Sequence, residues 1–269
     1  MDAIDGMQAR KTKSSSPLGQ LFDHGCDCMI TTVFSIMMIN GLGIGADWRL
    51  IAFVASVQVT FFLSQWEEKY TGVCRTSVGG LIGVTETQLL LCGQMIASAY
   101  LPNVGDMIMY ENYTYRKIYS ALYLGFMVTI SIWCVIQNIF RHPQSAMELV
   151  SVVGLNAAVL GWSYLGDIEK NQYWLVALAL AFCNSFSTIR VIVSSITHTG
   201  FPVWHPFALP FFGIIAARSV LGGGEWIRLA LALYMGGLLD HIVKALIKIV
   251  NEISAYLGIY VFTITQKRI

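Results

Sequence analysis

Charged side chains are scarce in this sequence, and their scarcity limits the kind of protein it can encode. Lys, Arg, Asp and Glu together make up 12% of the 269 residues, whereas 55% of the residues are hydrophobic. An average soluble domain carries about 25% charged residues. The composition therefore argues against an ordinary soluble enzyme and predicts an integral membrane protein. The net charge of +1 also gives no electrostatic basis for a nucleic-acid partner.

A disulfide framework and a signal peptide are also lacking. The six cysteines lie mostly within apolar stretches, which predicts small buried side chains rather than disulfides or a zinc site. Cys26 and Cys28 are separated by one residue, not by the two of a usual zinc knuckle, so we interpret them as structural. The N-terminus does not show the basic, apolar and small-residue order of a signal peptide. Membrane insertion is therefore expected to depend on internal helices.

Long apolar runs are abundant. About 20 mainly apolar residues are needed to cross a bilayer, and on this criterion the sequence predicts an all-α, polytopic transmembrane helical bundle with eight complete spans. The predicted spans cover residues 20–45, 48–65, 79–101, 117–140, 145–165, 171–191, 206–222 and 225–250. Polar or turn-forming segments, such as residues 66–78, connect them. Because no linker or internal repeat is evident, residues 1–269 are predicted to form a single membrane domain.

The distribution of Lys and Arg predicts the orientation of these spans. With the first polar loop in the cytosol, nine Lys and Arg residues fall on the cytosolic side and five on the lumenal side, the bias expected for membrane proteins. The same alternation places the glycosylation sequon that begins at Asn112 in the lumen. Residues 2–10 resemble the last turns of a helix, but nine residues rise only about 13 Å and cannot cross a membrane. We therefore expect an N-terminally truncated chain that begins within a partial helix.

Four aspartates lie close to the N-terminus, in two pairs. Asp2 and Asp5 are three residues apart, so they share one face of a helix. Asp23 and Asp27 are four residues apart and share a face of the next helix. Converging carboxylates repel each other unless protons or cations compensate, and Mg²⁺ prefers such oxygen ligands. The spacing indicates a two-metal clamp for phosphoryl transfer, although a solvated loop with scattered acidic residues remains an alternative.

Small residues and one arginine accompany the aspartates. Gly6, Ala9 and Gly19 remove side-chain bulk where a phosphorylated substrate could approach the backbone. Arg10 offers a guanidinium fork that suits phosphate. The spacing of these residues does not identify the substrate. Farther along the chain, Asn184 is a candidate for a polar interaction between helices.

These residues together form the pattern D-G-x2-A-R-x8-G-x3-D-x3-D, which begins at Asp5 and ends at Asp27, with Asp2 three positions earlier. The pattern resembles the signature of the CDP-alcohol phosphotransferase family at every position. The segments DAIDG-x-QAR, SSSPLG and LFDHGCD are similar to the eukaryotic choline/ethanolamine phosphotransferase branch. Weaker similarity continues through Trp66 and the segment that ends at Glu86.

The resemblance implies roles for individual residues. The metal ligands, for Mg²⁺ or Mn²⁺, would be Asp2, Asp5, Asp23 and Asp27. The CDP-alcohol pocket would be formed by Gly6, Ala9, Arg10 and Gly19. His24, paired with Glu86, would activate the lipid hydroxyl, and Asp27 counts as catalytic as well as metal-binding. The family has another complete helix, and most of a second one, before the position of Asp2, which agrees with the expected truncation.

The function implied by the resemblance is the transfer of phosphocholine or phosphoethanolamine from CDP-choline or CDP-ethanolamine to diacylglycerol, with release of CMP. This is a step of phospholipid biosynthesis in the Kennedy pathway. The resemblance also implies a homodimer in the membrane of the endoplasmic reticulum or Golgi. The orientation predicted from Lys and Arg places the active site near the cytosolic face. The alternatives are another CDP-alcohol transferase such as a phosphatidylinositol synthase, a truncated non-catalytic membrane partner, and a transporter.

Overall fold

The protein is helical throughout most of the chain. The computed structural model describes residues 7–9, 11–12, 15–74, 77–78, 82–101, 103–166 and 168–261, and for residues 77–78 and 82–87 it describes the backbone alone. Residues 7–9 and 11–12 are helical. The longer helices are α1 (Pro17–Gly41), α2 (Trp48–Thr71), α3 (Val84–Tyr100), α4 (Tyr115–Arg141), α5 (Ala146–Leu165), α6 (Tyr173–Ile196), α7 (Ala208–Leu221) and α8 (Glu225–Leu257). The predicted all-α class is confirmed.

In the described part of the chain, two short antiparallel hairpins lie between the helices. Strands β1 (Ser77–Val78) and β2 (Ile82–Gly83) pair with Ser77 opposite Gly83. Strands β3 (Ile108–Tyr110) and β4 (Tyr113–Thr114) pair immediately before α4, with an irregularity in the register. Single 3₁₀ turns at Val104–Asp106 and Pro143–Ser145 precede the second hairpin and α5.

Each of the predicted spans overlaps one of these helices. Among the described residues, five helical segments are long and apolar enough to cross a membrane, namely Trp48–Thr71, Tyr115–Arg141, Pro143–Leu165, Tyr173–Ile196 and Glu225–Leu257. Helix α7 is apolar but has only 14 residues, and α3 has 17. The structure therefore confirms a helical membrane protein, whereas the number of eight spans stays a prediction.

Helices α2 and α6 form the centre of the bundle. Helix α6 buries residues along most of its length, and α2 buries half of its 24 residues. Helix α4 is the opposite case: of its 27 residues, only Ser120 and Asn138 are buried, so its apolar surface faces outwards as expected for a helix in contact with lipid. The more exposed helices thus surround the two central helices α2 and α6.

The predicted end of the second span at residue 65 is wrong. Helix α2 continues to Thr71 and ends at Gly72, whose φ of 68° is in the left-handed region that favours glycine. The polar residues that suggested a loop have partners inside the bundle. Glu67 is 6% exposed, and the Lys69 ammonium group lies 2.5 Å from the Glu148 carboxylate on α5. Because these contacts offset the cost of burying charge, the helix extends two turns beyond the apolar run.

The cysteines only partly follow the predicted burial. Cys28 and Cys183 are buried, whereas Cys26 and Cys92 are exposed. Cys74 is partly exposed in the segment after α2. None of the six cysteines, which all lie within the described residues, forms a disulfide. The exposed thiols follow from helix geometry, since a residue in an apolar span can point away from the bundle.

Candidate functional site

The candidate site lies where the beginning of α1 meets the end of α2. Pro17 starts α1, and Ser16 caps it by accepting a hydrogen bond from the Gly19 amide at 3.0 Å. The two helices are antiparallel. Gln20 at the start of α1 contacts Glu68 near the end of α2, whereas the Gln58 amide in the middle of α2 donates to the Cys28 carbonyl, farther along α1. The first turns of α1 therefore face the last turns of α2.

His24 is held between these two helices. Its Nδ1 lies 2.8 Å from Gln65 Oε1, and an amide oxygen can only accept, so Nδ1 carries the proton. In a neutral imidazole, this arrangement leaves the lone pair on Nε2. Nε2 lies 3.9 Å from Asp23 Oδ2, and the His24 side chain is 19% exposed. Gln65 thus holds His24 in the tautomer that a general base acting through Nε2 requires.

Glu68 is the second partner of His24. Glu68 Oε2 lies 3.5 Å from His24 Nδ1, and Gln20 Nε2 donates to Glu68 Oε1 at 2.9 Å. A carboxylate at this distance stabilises the imidazolium that forms when Nε2 accepts a proton. Neither Gln65 nor Glu68 was predicted as part of the site, because Gln65 is the last residue of the predicted second span and Glu68 lies beyond it. Their i, i+3 spacing, which places both on one helical face, was the available signal.

Asp23 and Asp27 occupy successive turns of α1, as the sequence predicted, and both are partly exposed. Two carboxylates one turn apart supply the oxygen donors that Mg²⁺ and Mn²⁺ prefer, so this part of the predicted ligand set fits such an ion. Asp2, Asp5, Gly6 and Arg10 lie outside the described residues. The convergence of all four aspartates therefore stays a prediction.

Ala9 and Gly19 are the described members of the predicted nucleotide pocket. Ala9 is helical and partly exposed. A Cβ added at Gly19 would meet Ser16 Oγ at 3.4 Å, which is an ordinary van der Waals distance. Packing among the described residues therefore does not require glycine at this position. The local packing is therefore compatible with a bound molecule close to Gly19.

Glu86 lies in the first turn of α3, and its side chain is outside the described part of the structure. At the other end of α3, Ser98 Oγ donates to the Gly41 carbonyl at the end of α1. Helices α1 and α3 therefore start at the same end of the bundle, which is the end that holds His24. The predicted pairing of His24 with Glu86 is compatible with this arrangement and stays a prediction.

Comparison with known proteins agrees with the site. The family model described as CDP-alcohol phosphatidyltransferase matches residues 1–133, which include α1 to α3 and most of α4. Human ethanolaminephosphotransferase 1 is 28% identical over 99% of this chain and 70% of its own length. Choline/ethanolaminephosphotransferase 1 of Saccharomyces cerevisiae is 23% identical over the whole chain and 75% of its own length.

A further relative is CDP-alcohol phosphatidyltransferase class-I family protein 2 of Dictyostelium discoideum. It is 27% identical over 84% of this chain, and the match spans 55% of the relative's length. The matches to the human and yeast proteins extend over helices that lie beyond the family model, so the similarity is not confined to the aspartate motif. Residues 1–133 of this chain thus form a domain of the CDP-alcohol phosphatidyltransferase family.

Proposed function

We propose that this protein transfers phosphocholine or phosphoethanolamine from CDP-choline or CDP-ethanolamine to the hydroxyl group of diacylglycerol. The observation that carries this proposal is the position of His24, beside the Asp23–Asp27 pair and with its Nδ1 proton directed at Gln65. The relatives named choline/ethanolamine phosphotransferase support this choice of head group. The proposal also places this step in phospholipid biosynthesis.

In the proposed reaction, His24 Nε2 accepts the proton of the diacylglycerol hydroxyl. The hydroxyl oxygen forms a bond to the phosphorus of the phospho-alcohol group, and the bond from that phosphorus to the bridging oxygen of CMP breaks. CMP leaves with the bonding electron pair. Glu68 stabilises the imidazolium, and Gln65 keeps the ring oriented during the proton transfer. Glu86 is the proposed second partner of His24.

The proposed metal ligands are Asp2, Asp5, Asp23 and Asp27, and the proposed ion is Mg²⁺ or Mn²⁺. When bound, such ions would supply positive charge that neutralises the diphosphate and the leaving CMP. The nucleotide pocket would include the small residues and the guanidinium group predicted from the sequence, namely Gly6, Ala9, Arg10 and Gly19. Removal of bulk at these positions permits close approach of the diphosphate to the backbone.

The proposed setting is a homodimer in the membrane of the endoplasmic reticulum or Golgi. The His24 side chain is partly exposed near one end of α1, where a water-soluble nucleotide can arrive from one membrane face. Diacylglycerol can reach the same end laterally from the bilayer. The excess of Lys and Arg predicts that this face is cytosolic.

The test is CMP release by the purified protein with diacylglycerol, Mg²⁺, and either CDP-choline or CDP-ethanolamine. Asp23→Asn and Asp27→Asn should each lower kcat at least about 100-fold, and His24→Ala should lower it about 100-fold or more. Glu252→Gln is the matched control, because Glu252 is an exposed carboxylate on α8. Removal of the divalent ions with a chelator should abolish the activity of the wild type.

Four outcomes would contradict parts of the proposal. Wild-type rates in both aspartate variants would overturn the metal assignment, and undiminished turnover of His24→Ala would overturn the base assignment alone. CMP release only with CDP-diacylglycerol and inositol would assign the protein to the phosphatidylinositol-forming branch. Absence of activity with every donor would instead support a non-catalytic membrane partner.

A further inference from the structure

A histidine, a carboxylate and a thiol meet at the end of α2. One ligand atom from each of His24, Glu68 and Cys74 can be chosen so that all three lie within 4.8 Å of one another. His24 Nδ1 and Glu68 Oε2 are already 3.5 Å apart. Ligand atoms of a tetrahedral zinc ion, with bonds of about 2.0–2.3 Å, stand about 3.3–3.8 Å apart. The three groups therefore need to move little to share one ion.

The chemistry of the three groups selects the kind of ion. Thiolate and imidazole are ligands for borderline-soft ions such as Zn²⁺, whereas Mg²⁺ prefers oxygen ligands and more of them. The Asp23–Asp27 pair on α1 offers oxygen alone. Two donor sets of different softness are thus adjacent, and an excess of Mg²⁺ would not compete strongly for the second set.

The position of Cys74 favours closure around an ion. Cys74 follows α2 after Gly72, outside the helix, and is partly exposed. Its Sγ lies 3.6 Å from Gln65 Nε2, and its thiol interacts with the Glu68 carboxyl group. The His24 and Glu68 side chains are 19% and 14% exposed. Three protein ligands would thus leave a fourth position open to water.

We propose that His24, Glu68 and Cys74 bind Zn²⁺, and that the bound ion inhibits transfer. The Cys74 thiol loses its proton to solvent on binding, and His24 Nδ1 gives up its contact with Gln65 to bind the ion. A neutral imidazole whose Nδ1 lone pair binds a metal carries its proton on Nε2. Nε2 then has no lone pair with which to accept the proton of a lipid hydroxyl. The inhibition rests on the proposed function, whereas the binding does not.

Cobalt absorption tests the binding without catalysis. Titration of the purified full-length protein with Co²⁺, in excess Mg²⁺, should produce a near-ultraviolet thiolate-to-cobalt band that saturates at one equivalent and disappears when Zn²⁺ is added. Cys74→Ser and Cys74→Ala should both lack the band. Cys92→Ser is the matched control, since Cys92 is an exposed thiol on α3, and it should retain the band. The melting transition of each variant shows that it is folded.

CMP release in zinc-buffered solution tests the inhibition. Cys74→Ser should raise the half-inhibitory concentration of free Zn²⁺ at least about 10-fold, with unchanged activity in Mg²⁺ alone. Absence of the cobalt band, or an intact band in both Cys74 variants, would overturn the site. A Cys74-dependent band without inhibition would overturn the regulatory part. If the protein has no transferase activity at all, the proposed function fails while the cobalt band still decides the binding.

Discussion

Gly19 is a residue type that destabilises a helix, and it lies where the structure has room for a side chain. A glycine within a helix is destabilising by about 1 kcal/mol relative to alanine. Gly19 nevertheless lies in the first turns of α1, and a Cβ there would meet Ser16 Oγ at an ordinary 3.4 Å. Since the described neighbours tolerate a methyl group, packing does not explain the glycine, whereas the proposed CDP-alcohol pocket would. This position therefore separates a role in binding from a role in folding.

We expect Gly19→Ala to uncouple stability from activity. The free energy of unfolding should stay the same or rise by up to about 1 kcal/mol, because alanine favours the helix. The KM for the CDP-alcohol should rise about fivefold or more, which corresponds to about 1 kcal/mol of lost binding. Thermal unfolding in detergent and steady-state CMP release measure the two effects.

Gly25→Ala is the matched control for this substitution. Gly25 also lies within α1, and a Cβ there would meet nothing within 4 Å. It should gain stability in the same way without a change in KM. Equal KM values for the wild type and Gly19→Ala would remove Gly19 from the proposed nucleotide pocket.

At the scale of helices, α5 and α6 are joined by a reciprocal pair of amides. Asn156 Nδ2 donates to Asn184 Oδ1 at 2.8 Å, and Asn184 Nδ2 donates to Asn156 Oδ1 at 3.0 Å. Asn156 is 5% exposed and Asn184 is fully buried. The predicted interaction of Asn184 across helices is confirmed. Because water is excluded here, loss of one amide leaves the other without its partner.

We expect Asn184→Leu to lower the free energy of unfolding by about 1–2 kcal/mol. Combining it with Asn156→Leu should recover part of this loss, because the second substitution removes the Asn156 Oδ1 atom that the first one leaves without its donor. Asn251→Leu, at an exposed position on α8, is the control and should change stability little. Detergent-induced unfolding is measured for the wild type, both single variants, the double variant and the control. Strictly additive losses in the double variant would show that the pair has no coupling energy.

The helices were largely predictable from the sequence, and the site was predictable only in part. A membrane helix needs a continuous apolar run, so hydropathy located α2 and α4 to α6 with small errors at their ends. It failed at Glu68, since a partner on α1 decides whether a polar residue beyond the apolar run remains helical. A histidine was expected as the base, but its observed partners come from a helix 41 positions or more away in sequence. No local sequence pattern predicts the contacts of His24 with Gln65 and Glu68.

At the scale of the whole molecule, His24 and the sequon lie at opposite ends of the bundle. The hairpin that carries Asn112 precedes α4, whose Arg116 donates through Nε to the Leu42 carbonyl just after α1. His24 is near the other end of that helix. The segment from Asp23 to Gly41 rises about 27 Å, which is close to the roughly 30 Å of the bilayer core. If α1 spans the membrane, the two features face opposite compartments.

We therefore expect Asn112 to be glycosylated when the protein is expressed in eukaryotic cells. Asn112 is exposed in the turn between β3 and β4, so the transferase can reach it. Treatment with an endoglycosidase should increase the gel mobility of the wild type and leave Asn112→Gln unchanged.

Thr197→Asn creates a second sequon with Thr199 in the exposed segment after α6, which the charge distribution places in the cytosol. Combined with Asn112→Gln, it should receive no glycan. Glycosylation at position 197, with none at Asn112 in the wild type, would show that the bundle has the opposite orientation. The lysine and arginine bias would then no longer support nucleotide entry from the cytosol.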